Sequence, residues 1–345
     1  MKTGLTLGKY APLHKGHQLV IETALQEMDQ LYVMIYDSPD VTDIPLRVRS
    51  NWIRKLYPQA KVIEAWSGPA EVGYTAEIMQ AQEEFLLRHA GHLPITHFFS
   101  SEPYGEHISK ALEAINRTVD LNRSKIPVSG SEIRKDPYSA RNFMAHEVYR
   151  DHITNVVFLG APSTGKTTIA QELARLHDTL WMPEYGREYW EEKQVERRLT
   201  LQQLVEIAEG HVDREKKMIS QARKYIFTDT NVLTTRIFSY YYHGTAAQQL
   251  ENMADRLGAR YDLTFVCDTD IPYDDTWDRS GDANRKVMQM QILDDLHARN
   301  IPYITLSGDL KKRVAKVNEI LASFSKYRNF WGANFSSGTK ESNSF

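Results

Sequence analysis

The sequence predicts an α/β protein of two domains, each with a parallel sheet that carries helices on both faces. Its 345 residues exceed the usual size of one domain. Short apolar runs alternate with helical patterns along the first half, and after a break around residues 146–155 a second series of the same kind begins. We therefore expect one domain over residues 1–150, a second over 153–328 and a disordered Ser- and Gly-rich tail over 331–345.

In the first half, helical patterns separate five strand candidates. Apolar residues recur at i, i+3 or i+4 in each helical segment, and Pro45 is well placed to begin the second one. The predicted strands cover residues 5–10, 31–36, 61–66, 96–101 and 118–121, and the predicted helices cover residues 17–28, 45–57, 75–90 and 105–116.

The second half continues the alternation without repeating a motif of the first. A helix is expected directly after the first strand of this half, over residues 167–176, and a long one over 199–224. The predicted strands cover residues 155–160, 179–184, 225–230, 263–268 and 302–307.

The composition is typical of a soluble globular protein. Hydrophobic residues make up 41% and charged residues 25%, which is ordinary for globular domains. The net charge of −3 gives no reason to expect nucleic acid or a membrane surface as a partner. A single cysteine, Cys267, excludes an internal disulfide framework. Without a signal-peptide pattern or a long apolar run, the sequence predicts a soluble cytoplasmic protein.

The clearest motif is "GAPSTGKT" at residues 160–167, which matches the P-loop pattern G-x-x-x-x-G-K-[ST]. A buried strand precedes it and an apolar-periodic helix follows, as that motif requires. Gly160 and Gly165 let the backbone wrap a phosphate. Lys166 is expected to reach the β- and γ-phosphates of ATP, and Thr167 to hold Mg²⁺. A chance match in a turn rich in small residues is the alternative.

Other residues of the second half favour a kinase. Asp229 ends an apolar strand, where it is a natural second contact for Mg²⁺. Glu184 ends another strand and can accept the proton of an attacking hydroxyl. A simple surface ion pair between Glu184 and Arg187 is the alternative. The polar segment 273–286, with Arg279 and Arg285, is either a lid that closes over ATP or an ordinary charged loop.

The stretch "GKYAPLHKGH" at residues 8–17 lies between the first predicted strand and its helix. His14 and His17 are three residues apart with no acid between them, which disfavours a zinc pair, and a structural accident is the other alternative. A phosphate site is more coherent, because Gly8 closes a strand, His17 opens a helix and Lys9 adds positive charge at one point.

A second segment, "VSGSEIRKDP" at residues 128–137, complements the histidines. Ser129 and Ser131 precede or begin a short predicted helix, and Arg134 follows one turn later. Its guanidinium can bind terminal phosphates through two parallel hydrogen bonds. An exposed helix cap with a solvated arginine is the alternative.

These residues resemble a known family. H-x-G-H followed more than 100 residues later by S-G-S-E-I-R is similar to the nucleotidyltransferase signature pair H-x-G-H and S-x-T-x-x-R. With a P-loop half after it, the chain resembles the bifunctional nicotinamide-mononucleotide adenylyltransferase/ribosylnicotinamide kinase family, the NadR type, over about residues 2–325. The resemblance implies a Rossmann-like nucleotidyltransferase sheet followed by a P-loop kinase sheet, with ATP and Mg²⁺ as cofactors.

The resemblance also implies roles for individual residues. His14 and His17 would bind the phosphates of ATP, while Arg134, Ser129 and Ser131 would hold the departing pyrophosphate. Lys9 stands where relatives commonly carry arginine, and Ser131 where many carry threonine. The catalytic residues implied for the kinase half are Lys166, Asp229 and Glu184. The further nucleotide contacts that we predict, from the two motifs and from segment 273–286, are Gly8, Lys9, Tyr10, Gly160, Ser163, Thr164, Gly165, Thr167, Thr168 and Arg279.

Aromatic residues are candidates for contact with a positively charged nicotinamide ring, since cations favour π faces, although such residues are more often core. The predicted substrate contacts are Tyr104, Tyr185, Arg187, Trp190 and Trp277.

The resemblance implies phosphorylation of nicotinamide riboside to the mononucleotide, followed by transfer of AMP to give NAD and pyrophosphate. Two alternatives remain: a transferase–kinase pair for pantetheine or flavin chemistry, and a nucleotide sensor without turnover. Some family members carry an N-terminal DNA-binding domain, which we do not expect here because the first strand begins by Leu5. A homo-oligomer is plausible from the resemblance alone.

Overall fold

The computed structural model describes residues 1–69, 71, 73–196, 198–273 and 282–328. The chain divides into two compact units, Met1–Asp151 (unit 1) and His152–Phe345 (unit 2). The predicted contacts Trp277 and Arg279 and the predicted tail 331–345 lie outside the described residues.

Unit 1 alternates five strands with helices. Its strands are β1 (Thr3–Gly8), β2 (Gln30–Tyr36), β3 (Lys61–Ala65), β4 (His97–Ser100) and β5 (Ile115–Thr118). Its helices are α1 (Lys15–Glu27), α2 (Leu46–Leu56), α3 (Ala76–Ala90), α4 (Gly105–Ala111), α5 (Gly130–Lys135) and α6 (His146–Tyr149), with a short 3₁₀ turn at Arg141–Phe143 and another, Arg150–His152, where the units meet in sequence.

The sheet of unit 1 has the order β3-β2-β1-β4-β5, and every pairing is parallel. Strand β1 lies in the centre, where its residues Thr3 to Leu5 have almost no exposed surface. The chain continues on one side of β1 to β2 and β3 and on the other side to β4 and β5. The carboxyl end of β1 is therefore the switch point at which such sheets bind ligands.

The last strand of this sheet differs from the prediction. We expected a helix over 105–116 and a strand over 118–121, but α4 ends at Ala111 and β5 occupies Ile115–Thr118. Glu113 adopts a left-handed φ of 53°, which ends the helical path and turns the chain into the edge strand. All four side chains of β5 are exposed, so no apolar alternation marks it, and the buried Val119 that suggested a strand follows it.

Unit 2 is built in the same way. Its strands are β6 (Thr154–Leu159), β7 (Leu180–Met182), β8 (Tyr225–Asp229), β9 (Leu263–Cys267) and β10 (Ile304–Leu306). Its helices are α7 (Lys166–Leu176), α8 (Tyr185–Lys193), α9 (Leu201–Ile219), α10 (Val232–His243), α11 (Gln248–Leu257), α12 (Asp282–Ala298) and α13 (Leu310–Ser323).

The sheet of unit 2 has the order β10-β9-β6-β8-β7 and is also parallel throughout. Alternate residues of the central strand β6 enter two different cores: Val156 and Phe158 pack with α7 and α13, while Val157 and Leu159 pack with α10 and α12. Helices therefore cover both faces, and the predicted two-domain α/β fold is confirmed. No helix among the described residues combines the length and apolar character that crossing a membrane requires.

Candidate active sites

The two histidines of unit 1 cap the helix that follows β1. His14 is the N-cap of α1, so the helix begins at Lys15 and not at His17 as expected. The backbone N–H of His17 donates to His14 Nδ1, and that of His14 donates to His17 Nδ1, each over 3.4 Å. The two rings stack with centroids 3.7 Å apart. The pair forms a reciprocal capping box in which imidazoles replace the usual Ser and Glu side chains.

Burial determines the protonation state of both rings, and the cap determines which nitrogen carries the proton. Burial, followed by the charges of Arg123 and Arg134, lowers the pKa of His14 to about 4. Burial and the neighbouring His14 hold the pKa of His17 well below its usual value, although a hydrogen bond with the Pro12 backbone opposes this. Both rings are thus neutral near pH 7. Since each Nδ1 accepts a backbone N–H, the ring proton lies on Nε2, which is a hydrogen-bond donor.

Helix α5 lies against the same turn. Ser129 caps it through a second capping box with Glu132, with contacts of 3.2 and 2.8 Å. Arg134 donates to the Ala11 carbonyl over 2.6 Å and to Ser131 Oγ over 3.0 Å. A Cβ placed on Gly130 would lie 3.9 Å from His14 Nε2. The structure thus brings together the two segments that the sequence separates by more than 100 residues.

A cavity of 410 Å³ opens beside these groups. Tyr10, with a φ of 44°, is fully buried in its wall, and burial raises the pKa of its hydroxyl. The ring of Tyr104 also lines the cavity, while its hydroxyl donates to the Leu7 carbonyl over 2.8 Å. The cavity is lined by every residue that we predicted for this half: Gly8, Lys9, Tyr10, His14, His17, Tyr104, Ser129, Ser131 and Arg134.

Sequence reasoning missed two arginines of this site. Arg123 lines the cavity and adds positive charge beside the histidines. Arg49 in α2 has no exposed surface; it donates to the carbonyls of Ile44 (3.0 Å), Tyr36 (3.2 Å) and Lys9. It therefore ties the carboxyl end of β2 to the histidine turn. Neither arginine belongs to a motif, so only the three-dimensional arrangement reveals them.

In unit 2, residues 160–165 form the predicted loop between β6 and α7. Its glycines are needed, because Gly160 has a φ of 139° and Gly165 a φ of 81°. A Cβ at Gly160 would lie 2.7 Å from the Cys267 carbonyl oxygen. Thr164 Oγ1 and Lys166 Nζ both donate to the Ala161 carbonyl, over 2.8 and 2.9 Å.

Side chains of α12 and α13 form hydrogen bonds with the backbone of the P-loop. Gln289 accepts the N–H of Ala161 over 2.8 Å. Arg313 donates to the Thr164 carbonyl over 2.6 Å, and Arg285 to the Ser163 carbonyl over 3.1 Å. Arg285 was expected in a lid or an exposed charged loop. It is instead 3% exposed at the base of the P-loop, which corrects that expectation.

Asp229 lies next to the start of α7 at the carboxyl end of β8. Its Oδ2 accepts the Thr167 hydroxyl over 2.5 Å. Burial and then the charge of Glu184 raise the pKa of Asp229 to about 6, and Lys166, Thr167 and Arg187 oppose the shift. Glu184 directly precedes α8 and forms with Arg187 the ion pair that we gave as the alternative, at 3.2 Å.

The donor set of Thr167 and Asp229 fits a magnesium ion. A hydroxyl and a carboxylate are hard oxygen ligands, and Asp229 Oδ1 is buried without a hydrogen-bond partner in the described structure. In the described part of the chain, no group of three or more His, Cys, Asp or Glu side chains is arranged to hold a metal. These two residues match a Mg²⁺ that binds mainly to nucleotide phosphates and water.

A second cavity, of 270 Å³, adjoins the P-loop. Lys166, Glu184 and Arg187 form its charged side, next to Gly160, and Trp190 belongs to its apolar wall. Tyr185 packs against Gly210 of α9, with the Arg214 guanidinium 6.0 Å from its ring centre. The cavity also contains residues that we did not predict, from the aromatic run of α10 and from α9: Phe238, Tyr241, Tyr242 and His211.

Comparison with known proteins relates most of the chain to one group. Residues 155–313 match the family described as AAA domain. The trifunctional NAD biosynthesis/regulator protein NadR of Salmonella typhimurium is 25% identical over 329 residues, 87% of this chain and 78% of that protein. The chain is homologous to the NadR proteins. This confirms the resemblance that the motifs indicated.

Two solved NadR structures share the fold. One is a complex with NAD and AMP-PNP and the other a complex with NR. In each comparison the TM-score is 0.53 at 20% identity, over 93% of this chain and 95% of the NadR chain. The similarity thus extends through both units, which supports the two-sheet NadR architecture for this chain.

Proposed function

We propose that this NadR homologue makes NAD in two steps: unit 2 phosphorylates nicotinamide riboside with ATP, and unit 1 transfers AMP from ATP to the resulting mononucleotide. One observation carries the proposal: a single chain holds a histidine turn and a P-loop, each beside a cavity large enough for a small substrate. NadR homology supports NAD biosynthesis, and the ligands of the solved NadR structures match these substrates.

For the kinase step, the riboside would occupy the 270 Å³ cavity with its 5′-hydroxyl toward Lys166 and Glu184. Glu184 would accept the hydroxyl proton, and Arg187 would stay beside it to stabilise charge. Lys166 would leave the Ala161 carbonyl and bind the ATP phosphates. Thr167 and Asp229 would hold Mg²⁺, which neutralises phosphate charge when bound.

For the adenylyl step, the protein would supply position and charge and no nucleophile. The phosphate of the mononucleotide would attack the α-phosphate of ATP, and pyrophosphate would depart. The two Nε2 donors of His14 and His17 would stabilise the charge on the reacting phosphates. Arg134, now bonded to Ala11 and Ser131, would turn toward the pyrophosphate. The histidine donors, unlike Arg134, are held by the helix cap and would act without reorganising during the reaction.

The test is incubation of the protein with Mg²⁺, ATP and nicotinamide riboside, with all nucleotides followed by chromatography. We expect the mononucleotide first and NAD with pyrophosphate afterwards. A second incubation that starts from the mononucleotide isolates the adenylyl step. Product from pantetheine or riboflavin in place of the riboside would replace the substrate assignment. A folded protein that binds ATP and forms no product would favour a sensor.

A further inference from the structure

Two buried arginines of unit 2 have no role in the proposed reactions. Arg285 and Arg313 are each 3% exposed. Guanidinium groups reach such burial only when hydrogen-bond acceptors surround them. The two side chains belong to different helices, yet their acceptors converge on the backbone of the P-loop.

Arg313 connects the P-loop with two neighbouring strand ends. Its Nη1 donates to the Thr164 carbonyl over 2.6 Å, and its Nε donates to the Gly308 carbonyl, after β10, over 2.8 Å. Its Nη2 donates to the carbonyl of Asp268, after β9, over 3.2 Å and pairs with the Asp270 carboxylate over 2.5 Å. One side chain thus fixes the loop against β9 and β10.

Arg285 holds the adjacent peptide. Its Nη2 donates to the Ser163 carbonyl over 3.1 Å, and the same guanidinium donates to the Ile271 carbonyl over 3.1 Å. Ser163 has a left-handed φ of 58°, a conformation that a serine adopts only when its surroundings favour it. Arg285 and Arg313 therefore hold two consecutive carbonyls of the loop.

A phosphate-binding loop needs such donors. When successive backbone N–H groups face a bound phosphate, the carbonyls of the same peptides face the protein and require their own partners. We propose that Arg285 and Arg313 are positioning residues of the kinase site. By holding the carbonyls of Ser163 and Thr164, they keep the P-loop N–H groups directed toward the ATP phosphates before the nucleotide binds. This inference rests on ATP binding by unit 2 and not on the identity of the acceptor.

The test is the kinase reaction of Arg313→Lys and Arg285→Lys. Lysine keeps the charge but cannot bond several carbonyls at fixed angles. We expect the KM for ATP to rise about 10-fold, the scale of a lost charged hydrogen bond. The kcat should change less than about 3-fold, because Lys166, Thr167 and Asp229 remain. The KM for the riboside and the adenylyl transfer of unit 1 should be unchanged.

A matched control separates positioning from general stability. Arg299 lies in the same unit and forms ion pairs with Asp295 (3.0 Å) and Asp255 (2.6 Å), away from the P-loop. Arg299→Lys should leave the KM for ATP at the wild-type value. A purely structural role for Arg285 and Arg313 would instead lower the melting temperature and the active fraction, and hence kcat, without moving the KM for ATP.

The KM for ATP of the folded variants decides the inference, and a binding measurement replaces it if the protein has no kinase activity. Folded Arg313→Lys and Arg285→Lys proteins with the wild-type KM for ATP would overturn it, and if Arg313→Lys fails to fold, Arg285→Lys decides alone. If the wild-type protein forms no mononucleotide, the proposed function fails, and calorimetric titration with Mg·ATP takes over. The part of the total Mg·ATP binding that Lys166→Ala removes is the part that depends on the P-loop. If the arginine variants also lose this part, the inference is supported; if they retain it, the inference is overturned.

Discussion

At the scale of single residues, the position that suits Asp229 to the proposed metal site also lowers the stability of the metal-free fold. The carboxylate has no exposed surface and lies near Glu184, so its pKa in the folded protein rises to about 6. In the unfolded chain it returns to its ordinary value of 3.8. Ionisation at neutral pH therefore costs the folded state free energy that a bound cation would return.

We predict that Asp229→Asn removes kinase activity and stabilises the metal-free protein at pH 8. Because the folded pKa lies above the unfolded value, the penalty is absent below about pH 4, grows as pH rises and is complete above about pH 6. Thermal melts in EDTA should show a gain of about 5 °C at pH 8 and almost none at pH 4. An equal gain at both pH values would show that ionisation of Asp229 is not the cause.

Gly160 gives a second prediction at this scale. Its φ of 139° and the 2.7 Å approach of a Cβ to the Cys267 carbonyl leave no room for a side chain. We expect Gly160→Ala to abolish the kinase reaction and to lower the melting temperature of unit 2. Gly244→Ala is the matched control, since Gly244 also has a positive φ, of 65°, but nothing within 4 Å of its Cβ position. Gly244→Ala should lower the free energy of unfolding by only about 1 kcal/mol and retain kinase activity.

At the scale of elements, short helices with strong caps position the unit 1 site. Helix α5 has six residues, too few to persist alone, and its capping box holds Ser129 and Arg134 at the cavity. The sequence indicated this helix because small residues with two capping serines, followed one turn later by an arginine, are local signals.

We predict that Ser129→Ala lowers adenylyl transfer about 5- to 10-fold, because the cap contributes about 1 kcal/mol to the start of α5. Ser129→Thr, which keeps the hydroxyl, should retain most activity. Thr200→Ala removes the equivalent capping box of α9 in unit 2. In initial-rate assays that start from the mononucleotide, this control should leave adenylyl transfer unchanged. A similar loss in both alanine variants would contradict a local role for the α5 cap.

At the scale of the whole molecule, the candidate site of each unit follows the central strand of its sheet. The histidine turn follows β1 and the P-loop follows β6, and both strands have parallel neighbours on either side. The two motifs depend on separate cores, so each reaction should respond to its own residues.

We therefore expect crossed effects of two substitutions. His17→Ala should lower adenylyl transfer about 10²- to 10³-fold, the scale for one preorganised donor, and spare the kinase. Lys166→Ala should do the reverse. Each step is assayed with its own substrate, and unchanged melting curves serve as the control. Folded single variants that lose both activities would contradict two independent sites.

Local signals explain what the sequence could predict. The P-loop and the histidine turn were found because glycines, caps and flanking apolar runs occur within about ten residues of each other. Sequence reasoning did not find Arg49 and Arg313, because they bond carbonyls far away in sequence. It misplaced β5 because the exposed side chains of that strand form no apolar pattern. The aromatic wall from α10 was missed because its spacing is equally typical of a core helix.

The stacked pair at the start of α1 has one more consequence. Each imidazole uses its Nδ1 to accept a backbone N–H at the start of the helix, and both rings line the cavity; the His17 ring also bonds the Pro12 backbone. An imidazole can accept a hydrogen bond through one nitrogen and donate one through the other, whereas a lysine side chain can only donate and therefore cannot cap. At position 14, one side chain can thus both cap the helix and present a hydrogen-bond donor at the cavity.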